Sequence, residues 1–134
     1  GAHRDLHSFP TRRSSDLWSN DLERLEKLKT LATQTQTIVV LKGAYTAVAS
    51  PEGNVYFNAT GNPGMAKGGS GDVLTGIITS LRAQGFNALQ AAMIGVYVHG
   101  LAGDLAAKDL GETAMTAQDI IRYLPKAFKV LEPA

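Results

Sequence analysis

The chain of 134 residues has no cysteine, few aromatic residues and almost no net charge. Without cysteine, a disulfide framework and a thiolate metal site are both excluded. A net charge of +1 gives no electrostatic footprint for nucleic acid or for an acidic membrane surface. No apolar run approaches the roughly 20 residues of a membrane helix, and no signal-peptide core is recognisable. The composition predicts one compact cytoplasmic domain without a nucleic-acid or membrane partner.

The first seventeen residues, GAHRDLHSFPTRRSSDL, differ from the rest of the chain. They show no apolar period, and the composition changes abruptly at Trp18. Residues 8–17 resemble, codon by codon, the translation of a widely used sequencing-adapter end; a flexible Ser/Arg-rich tail is the alternative. We predict that residues 1–17 are a non-native, disordered segment. Residues 18–134 are then expected to be the C-terminal portion of a domain whose N-terminal portion is missing.

Apolar patterning from Trp18 onward predicts a mixture of helices and strands. An Asn20–Glu23 capping box and leucines at helical spacing predict a surface helix up to about residue 31. The β-branched run 37–41 lacks alternation, which is typical of a strand buried on both faces. Residues 45–50 and 54–58 are predicted to be short strands around a Pro/Gly turn.

Three further helices complete the predicted architecture. They are expected over residues 72–84, from an Asn87 capping box to about residue 109, and from Thr116 onward, with Ile121 and Phe128 among the inward residues. The long middle helix is rich in glycine and alanine, so a neighbour can approach closely and the helix is expected to be largely buried. A helix, a buried strand, a hairpin and three helices indicate a layered α/β domain.

The most informative segment is the glycine-rich loop TGNPGMAKGGSGDVLTG, residues 60–76. Glycines at 68, 69 and 71 allow backbone N–H groups to turn toward one point, and the following helix adds the positive end of its dipole. Together they predict an anion site suited to a phosphate. The loop is not a Walker A motif, because no Gly-Lys-Ser/Thr ends it, and it does not leave a strand directly as a dinucleotide fingerprint does.

Asp72 lies at the mouth of this predicted anion site. A carboxylate beside a phosphate serves as a general base on a substrate hydroxyl, as a ligand of a metal-bound water, or only as a helix N-cap. The spacing alone does not choose among these roles.

A second candidate segment, Lys42–Thr46, follows the buried strand. In open α/β sheets, ligands gather at the carboxyl ends of strands. Lys42 offers a positive charge, Gly43 permits close backbone approach, and Thr46 offers a hydroxyl. The alternative is an ordinary turn with a surface lysine, which the spacing alone favours.

Residues 62–76, NPGMAKGGSGDVLTG, closely resemble the signature of the NAD(P)H-hydrate dehydratases within the ribokinase-like superfamily. Those proteins commonly have Thr or Ser where this chain has Lys67, whose ammonium group is expected to add a phosphate contact. Residues 42–46 are similar to the family's AMP-contacting K-G-x-x-T segment. The resemblance covers residues 18–134, and it implies the C-terminal part of a ribokinase-like layered α/β/α domain.

The resemblance also implies a reaction and a set of site residues. The reaction is ADP-dependent dehydration of NADHX and NADPHX, the hydrated forms of NADH and NADPH, by a lyase that uses Mg²⁺. Asp72 would contact the hydrated nicotinamide as the catalytic carboxylate, and no protein ligand of a metal is predicted. The nucleotide would be bound by Lys42, Gly43, Ala44, Tyr45, Thr46 and Gly71. A homo-oligomer and an epimerase, fused or acting as a partner, are left open.

Two other functions compete with this one. A kinase of the same fold would phosphorylate a hydroxymethyl group of a vitamin precursor, although residues 62–69 fit the dehydratases better. A non-catalytic nucleotide-binding fragment is the other, because a truncated domain exposes an unpaired strand edge and apolar surface. On that ground the chain is expected to be poorly stable and to have little activity. His99 and Asp104, on the long helix, are interpreted as structural residues.

Overall fold

The computed structural model describes residues 6–9, as backbone only, and residues 21–133. Within these residues none of the helices combines the length and the apolar character needed to cross a bilayer. The elements in chain order are β1 (Leu6–Phe9), α1 (Asp21–Thr35), β2 (Ile38–Leu41), β3 (Ala47–Ala49), β4 (Val55–Phe57), a 3-10 turn (Pro63–Met65), α2 (Ser70–Ala83), α3 (Ala88–Leu110) and α4 (Ala117–Leu131).

The sheet has the order β1-β2-β3-β4, and β2 is buried on both faces. β1 pairs in parallel with β2, whereas β2, β3 and β4 pair antiparallel. Along β2, Val39 packs with Leu28 of α1, whereas Val40 packs with Leu74 of α2 and Val96 of α3. Because side chains of a strand alternate between its faces, the sheet lies between two helical layers. The α/β/α layering and the buried strand are therefore confirmed.

β1 lies in the segment for which the sequence predicts disorder. The backbone of Leu6–Phe9 is extended and pairs with Ile38–Leu41, so these four residues differ from the prediction. The physical reason is that β2 would otherwise leave a row of N–H and C=O groups unpaired on this side, and such an edge accepts an extended segment. The non-native origin of residues 1–17 stays a prediction, and the other residues of that segment lie outside the described residues.

The predicted end of α2 and the predicted starts of α3 and α4 are confirmed. The Asn87 side chain accepts from Gln90 N at 2.8 Å, and the Gln90 side chain accepts from Asn87 N at 3.0 Å. Thr116 and Asp119 form a second reciprocal pair at the start of α4. Gly85 follows α2 with a φ of 103°, as a glycine after a helix end often does. Asn20, which belongs to the capping box predicted before α1, lies outside the described residues.

Four other sequence predictions differ from the structure. α2 begins at Ser70 and not at Asp72, and the hairpin strands are shorter than predicted. Leu22 in the first turn of α1 is exposed. On α4, Ile121 is 50% and Phe128 is 37% exposed, although both were expected to face inward. Because α2 and α3 cover α4 on one side only, full burial in α4 is confined to two residues, Ile120 and Ala127.

Glycines on α3 let neighbouring segments approach its backbone, as the sequence predicts. A methyl group at Gly100 would overlap the side chain and backbone of Thr60, and one at Gly103 would overlap the Met65 side chain. Both glycines are buried. This close packing brings the chain that follows β4 across α3 and toward the start of α2.

Candidate functional site

The first half of the glycine-rich loop is fixed to α3 by Asp104. Its carboxylate accepts hydrogen bonds from Gly61 N at 3.0 Å and from Asn62 Nδ2 at 2.9 Å. Asn62 Oδ1 accepts in turn from Gly64 N at 3.0 Å and so caps the 3-10 turn. The structural interpretation of Asp104 fits these contacts, which hold the approach to α2 in one conformation.

The second half of the loop ends in a helix cap made only of backbone. Gly69 is the N-cap of α2, with a φ of 91°, in the left-handed region that favours glycine. Ser70 N donates to Lys67 O, and Val73 N donates to Gly69 O. Within residues 21–133, no backbone carbonyl accepts from the N–H groups of Gly71 and Asp72. Two donors thus remain open at the positive end of the α2 dipole, as an anion site requires.

The structure brings Lys42 and Gly71 together although they lie far apart in sequence. Lys42 directly follows β2, and its Nζ lies so close to Gly71 that it would overlap a methyl group added there. The ammonium group and the open N–H groups of the first turn of α2 therefore converge. Two of the residues predicted to bind the nucleotide are thus neighbours in the structure, and their binding role stays a prediction.

The rest of the segment after β2 faces solvent at the carboxyl end of that strand. Gly43, Ala44 and Tyr45 are exposed, with the Tyr45 side chain 70% exposed. Thr46 is half-buried, and its carbonyl accepts from Asn58 N at 2.8 Å, so the end of this segment is tied to the hairpin.

Arg24 of α1 is a residue that the sequence did not single out. Its Nη2 lies 3.8 Å from the position of a methyl group on Gly43, and its buried Nε has no hydrogen-bond partner in the structure. A second cation therefore stands close to the exposed segment after β2. No local sequence signal distinguishes it from the other charged residues of α1.

Asp72 is the third residue of α2, so the interpretation of its side chain as the helix N-cap is wrong. The residue is exposed, and within residues 21–133 no group donates a hydrogen bond to its carboxylate. It stands at one end of a largely apolar groove of about 510 Å³ between α2 and α4. The groove is lined by Asp72, Val73, Gly76, Ile77, Ser80, Leu81, Gln84, Ile121, Leu124 and Phe128. A carboxylate so placed can accept a proton from a molecule at the start of α2.

Lys67 does not contribute the expected phosphate contact. Its Nζ donates to the carbonyl oxygens of Glu112 at 3.1 Å and Thr113 at 2.6 Å. The ammonium group therefore holds the loop between α3 and α4 against the glycine-rich loop. The expectation was wrong because the acceptors are backbone atoms distant in sequence, which the local motif does not reveal.

His99 of α3 lies beneath the first turn of α2. Its Nε2 is 3.0 Å from the carbonyl oxygen of Ser70. The pKa of His99 lies below its ordinary value. Burial is the largest cause, the charge of Lys42 lowers the pKa further, and the hydrogen bond with Ser70 opposes both effects. The ring is therefore neutral at neutral pH, and it lies within electrostatic reach of the converging cation.

The described residues contain no group of three His, Asp or Glu side chains that could hold a metal ion. Mg²⁺ is commonly bound by one or two carboxylates together with phosphate oxygens and water. Asp72 is a carboxylate at the predicted phosphate position, so the described residues fit a Mg²⁺ ion that is carried by the phosphate oxygens of a nucleotide.

The three layers, with a glycine-capped helix start that meets a lysine at the end of the central strand, are those of an α/β protein of the ribokinase-like fold. A ribokinase-like superfamily protein from Enterococcus faecalis has a similar fold, with a TM-score of 0.67 and 28% identity over 86% of this chain and 38% of its own. Residues 11–126 match the sequence profile of the NAD(P)H-hydrate dehydratases. The chain belongs to the NAD(P)H-hydrate dehydratase family.

Individual relatives support this assignment. The bifunctional NAD(P)H-hydrate repair enzyme Nnr of Moorella thermoacetica is 51% identical over 110 residues, which are 82% of this chain and 21% of that protein. The ADP-dependent (S)-NAD(P)H-hydrate dehydratase of Bacillus subtilis is 36% identical over 84% of this chain and 42% of its own length. The crystal structure of the B. subtilis ADP/ATP-dependent NAD(P)H-hydrate dehydratase with ATP/Mg²⁺ superposes with a TM-score of 0.79 and 32% identity, over 93% of this chain and 51% of that one. The chain thus spans between about a fifth and half of the length of these relatives.

Proposed function

We propose that this chain carries the nucleotide-binding and catalytic part of an ADP-dependent NAD(P)H-hydrate dehydratase. The observation that carries the proposal is the meeting of Lys42 and Gly71 at the start of α2. A terminal phosphate group of ADP placed there receives two N–H donors, the helix dipole and an ammonium group at once. Gly43, Ala44, Tyr45 and Thr46 then line the nucleotide on the exposed side.

The proposed substrate is NADHX or NADPHX, with its hydroxyl group next to the Asp72 carboxylate. Asp72 takes the hydroxyl proton, and the hydroxyl oxygen forms a bond to the terminal phosphorus of ADP. The bond between this phosphorus and the bridging oxygen breaks, and AMP leaves. The C–O bond then breaks with departure of phosphate, and loss of a proton from the adjacent ring carbon restores the double bond. Mg²⁺ bound to the nucleotide would neutralise charge on the transferred group.

The open carboxylate of Asp72 supports this role. A general base must lie within hydrogen-bond reach of the proton that it removes, and a carboxylate without another donor has all its lone pairs available for that proton. Asp72 is exposed, and none of the residues in 21–133 occupies its carboxylate. The adjacent N–H donors face the group that develops negative charge, as electrostatic catalysis requires.

The direct test is incubation of the chain with NADHX, ADP and Mg²⁺, followed by the absorbance of regenerated NADH. The full-length B. subtilis dehydratase serves as positive control, and ATP with a hydroxymethyl acceptor tests the competing kinase activity. NADH formation with release of AMP supports the proposal. ADP binding without NADH formation would identify a non-catalytic nucleotide-binding fragment.

The carboxylate is tested by Asp72→Asn, which keeps the size of the side chain and removes its basicity. We expect NADH formation to fall by at least about a hundredfold while ADP still binds, because general-base catalysis contributes typically 10²–10⁴-fold. Loss of ADP affinity with NADH formation spared would reverse the assignment.

Cytoplasmic location, a homo-oligomer and an epimerase partner belong to the same proposal.

A further inference from the structure

His99 takes part in none of the proposed chemical steps, yet it contacts the backbone at the start of α2. Its Nε2 lies 3.0 Å from the Ser70 carbonyl oxygen and 3.3 Å from Ser70 Oγ. A carbonyl oxygen only accepts hydrogen bonds, so Nε2 must be the nitrogen that carries the proton. The Ser70 hydroxyl can then only be a second, longer acceptor of the same N–H. The contact therefore fixes the tautomer of the ring and ties α3 to one peptide group of α2.

That peptide group contains the N–H of Gly71. The described peptide bonds are all trans, and in a planar trans peptide the C=O and the N–H point in opposite directions. A hydrogen bond that holds the Ser70 carbonyl toward α3 consequently directs the Gly71 N–H away from α3. Gly71 is also the residue against which Lys42 Nζ packs.

The first turn of α2 needs such support more than the starts of α3 and α4 do. α3 and α4 begin with reciprocal side-chain caps, whereas the N-cap of α2 is Gly69, which has no side chain to cap the turn. Helix ends without a side-chain cap fray, because their first N–H groups lack partners. Ser70 is buried and His99 reaches it from a neighbouring helix, so the fixation comes through tertiary packing.

We propose that His99 is a positioning residue of the nucleotide site, whose Nε2–H holds the Ser70 carbonyl and thereby aims the Gly71 N–H at the phosphate. The identity of the ligand rests on the proposed function, whereas the orientation of the Gly71 peptide does not. The buried ring is neutral and adds no charge of its own to the site. His99 contributes by orienting the Gly71 N–H. A side chain that donates a hydrogen bond to the Ser70 carbonyl from the same position should therefore replace it.

The test compares His99→Gln, whose amide N–H can reach the Ser70 carbonyl, with His99→Leu, which lacks a donor. Isothermal titration with ADP should show about five- to tenfold weaker binding for His99→Leu, the effect of one lost hydrogen bond, and binding within about twofold of the parent for His99→Gln. Ser70→Ala should also stay within about twofold, because the carbonyl and not the hydroxyl is held. Val98→Ala, at a fully buried position one residue away, is the matched control that lowers stability without weakening ADP binding.

The direction of the Gly71 N–H is read independently from its residual dipolar coupling in the ligand-free protein. The parent and His99→Gln should give the same coupling, and His99→Leu a reduced or altered one. If the parent binds no ADP, the proposed function fails for this chain, but the couplings still decide the role of His99. Equal couplings in all three proteins, or equal ADP affinity of His99→Leu and the parent, would overturn the inference.

Discussion

Replacement of Gly71 by alanine should separate nucleotide binding from folding. The new methyl group would overlap Lys42 Nζ, so the ammonium group must shift from its position above the first turn of α2. A hydrogen bond to a charged partner contributes about 1.5–3 kcal/mol. Loss of the Lys42 contact should therefore weaken ADP binding by about 10- to 150-fold, since each 1.4 kcal/mol corresponds to about a factor of ten.

Folding should not suffer from the same change. Gly71 does not have a positive φ, and alanine is favoured over glycine within a helix by about 1 kcal/mol. Gly76 provides the matched control, because it lies in the same helix and an added methyl group would meet no atom within 4 Å beyond the neighbouring backbone of that helix and the adjacent residues. Gly76→Ala should gain the same helix stability and leave ADP affinity unchanged.

The assay is isothermal titration of the three proteins with ADP, together with urea unfolding of each without ligand. Gly71→Ala should unfold at the same or a higher urea concentration than the parent and bind ADP at least about tenfold more weakly. Parent-like ADP affinity of Gly71→Ala would refute the reasoning, because it would mean that Lys42 does not act where the structure places it.

The remaining predictions concern the loops and α3. Lys67→Met should lower the free energy of unfolding by about 1 kcal/mol in urea titrations and leave ADP affinity unchanged, because its bonds go to backbone carbonyls. Gly100→Ala should lower the free energy of unfolding by about 2–3 kcal/mol in the same titrations, because its methyl group would overlap the backbone of Thr60. Gly103→Ala should lower it clearly less, because the flexible Met65 side chain can move away. Equal losses for the two variants would contradict this. Burial lowers the pKa of His99 in the folded protein below its ordinary value of 6.5. As the pH falls, His99 is therefore protonated in the unfolded chain at a higher pH than in the folded one. The corresponding stability is complete above pH 6.5 and is lost as the pH falls through the folded pKa; His99→Gln should flatten this part of a urea-unfolding pH series.

Local signals in the sequence predicted the starts of α3 and α4, and they did not predict the start of α2. Asn87 and Thr116 cap their helices through side chains within the next turn, so a short stretch of sequence contains the whole interaction. The cap of α2 is a glycine in a left-handed conformation, which leaves no side-chain signal. The first carboxylate of the helix, Asp72, was therefore taken as its beginning.

The candidate site was predicted where it depends on a motif and missed where it depends on packing. The glycine-rich loop and Lys42 were both identified, and the structure brings Lys42 to Gly71. The contact of His99 with Ser70 and the contacts of Lys67 with the loop before α4 join residues distant in sequence. Such partners follow from how the helices pack, and no spacing within a single segment encodes them.

The proposed nucleotide site combines residues from two layers of the fold, the sheet and the helices that cover it. Lys42 belongs to the end of the central strand, whereas Gly71 begins a helix of the layer above it. A nucleotide bound at this site would contact both the sheet and the helical layer. Because only the folded chain brings these two parts together, the nucleotide would bind the folded chain in preference to the unfolded one. Saturating ADP would thus make the chain more resistant to proteolysis, and the protection would extend to the hairpin and helices far from the bound phosphate.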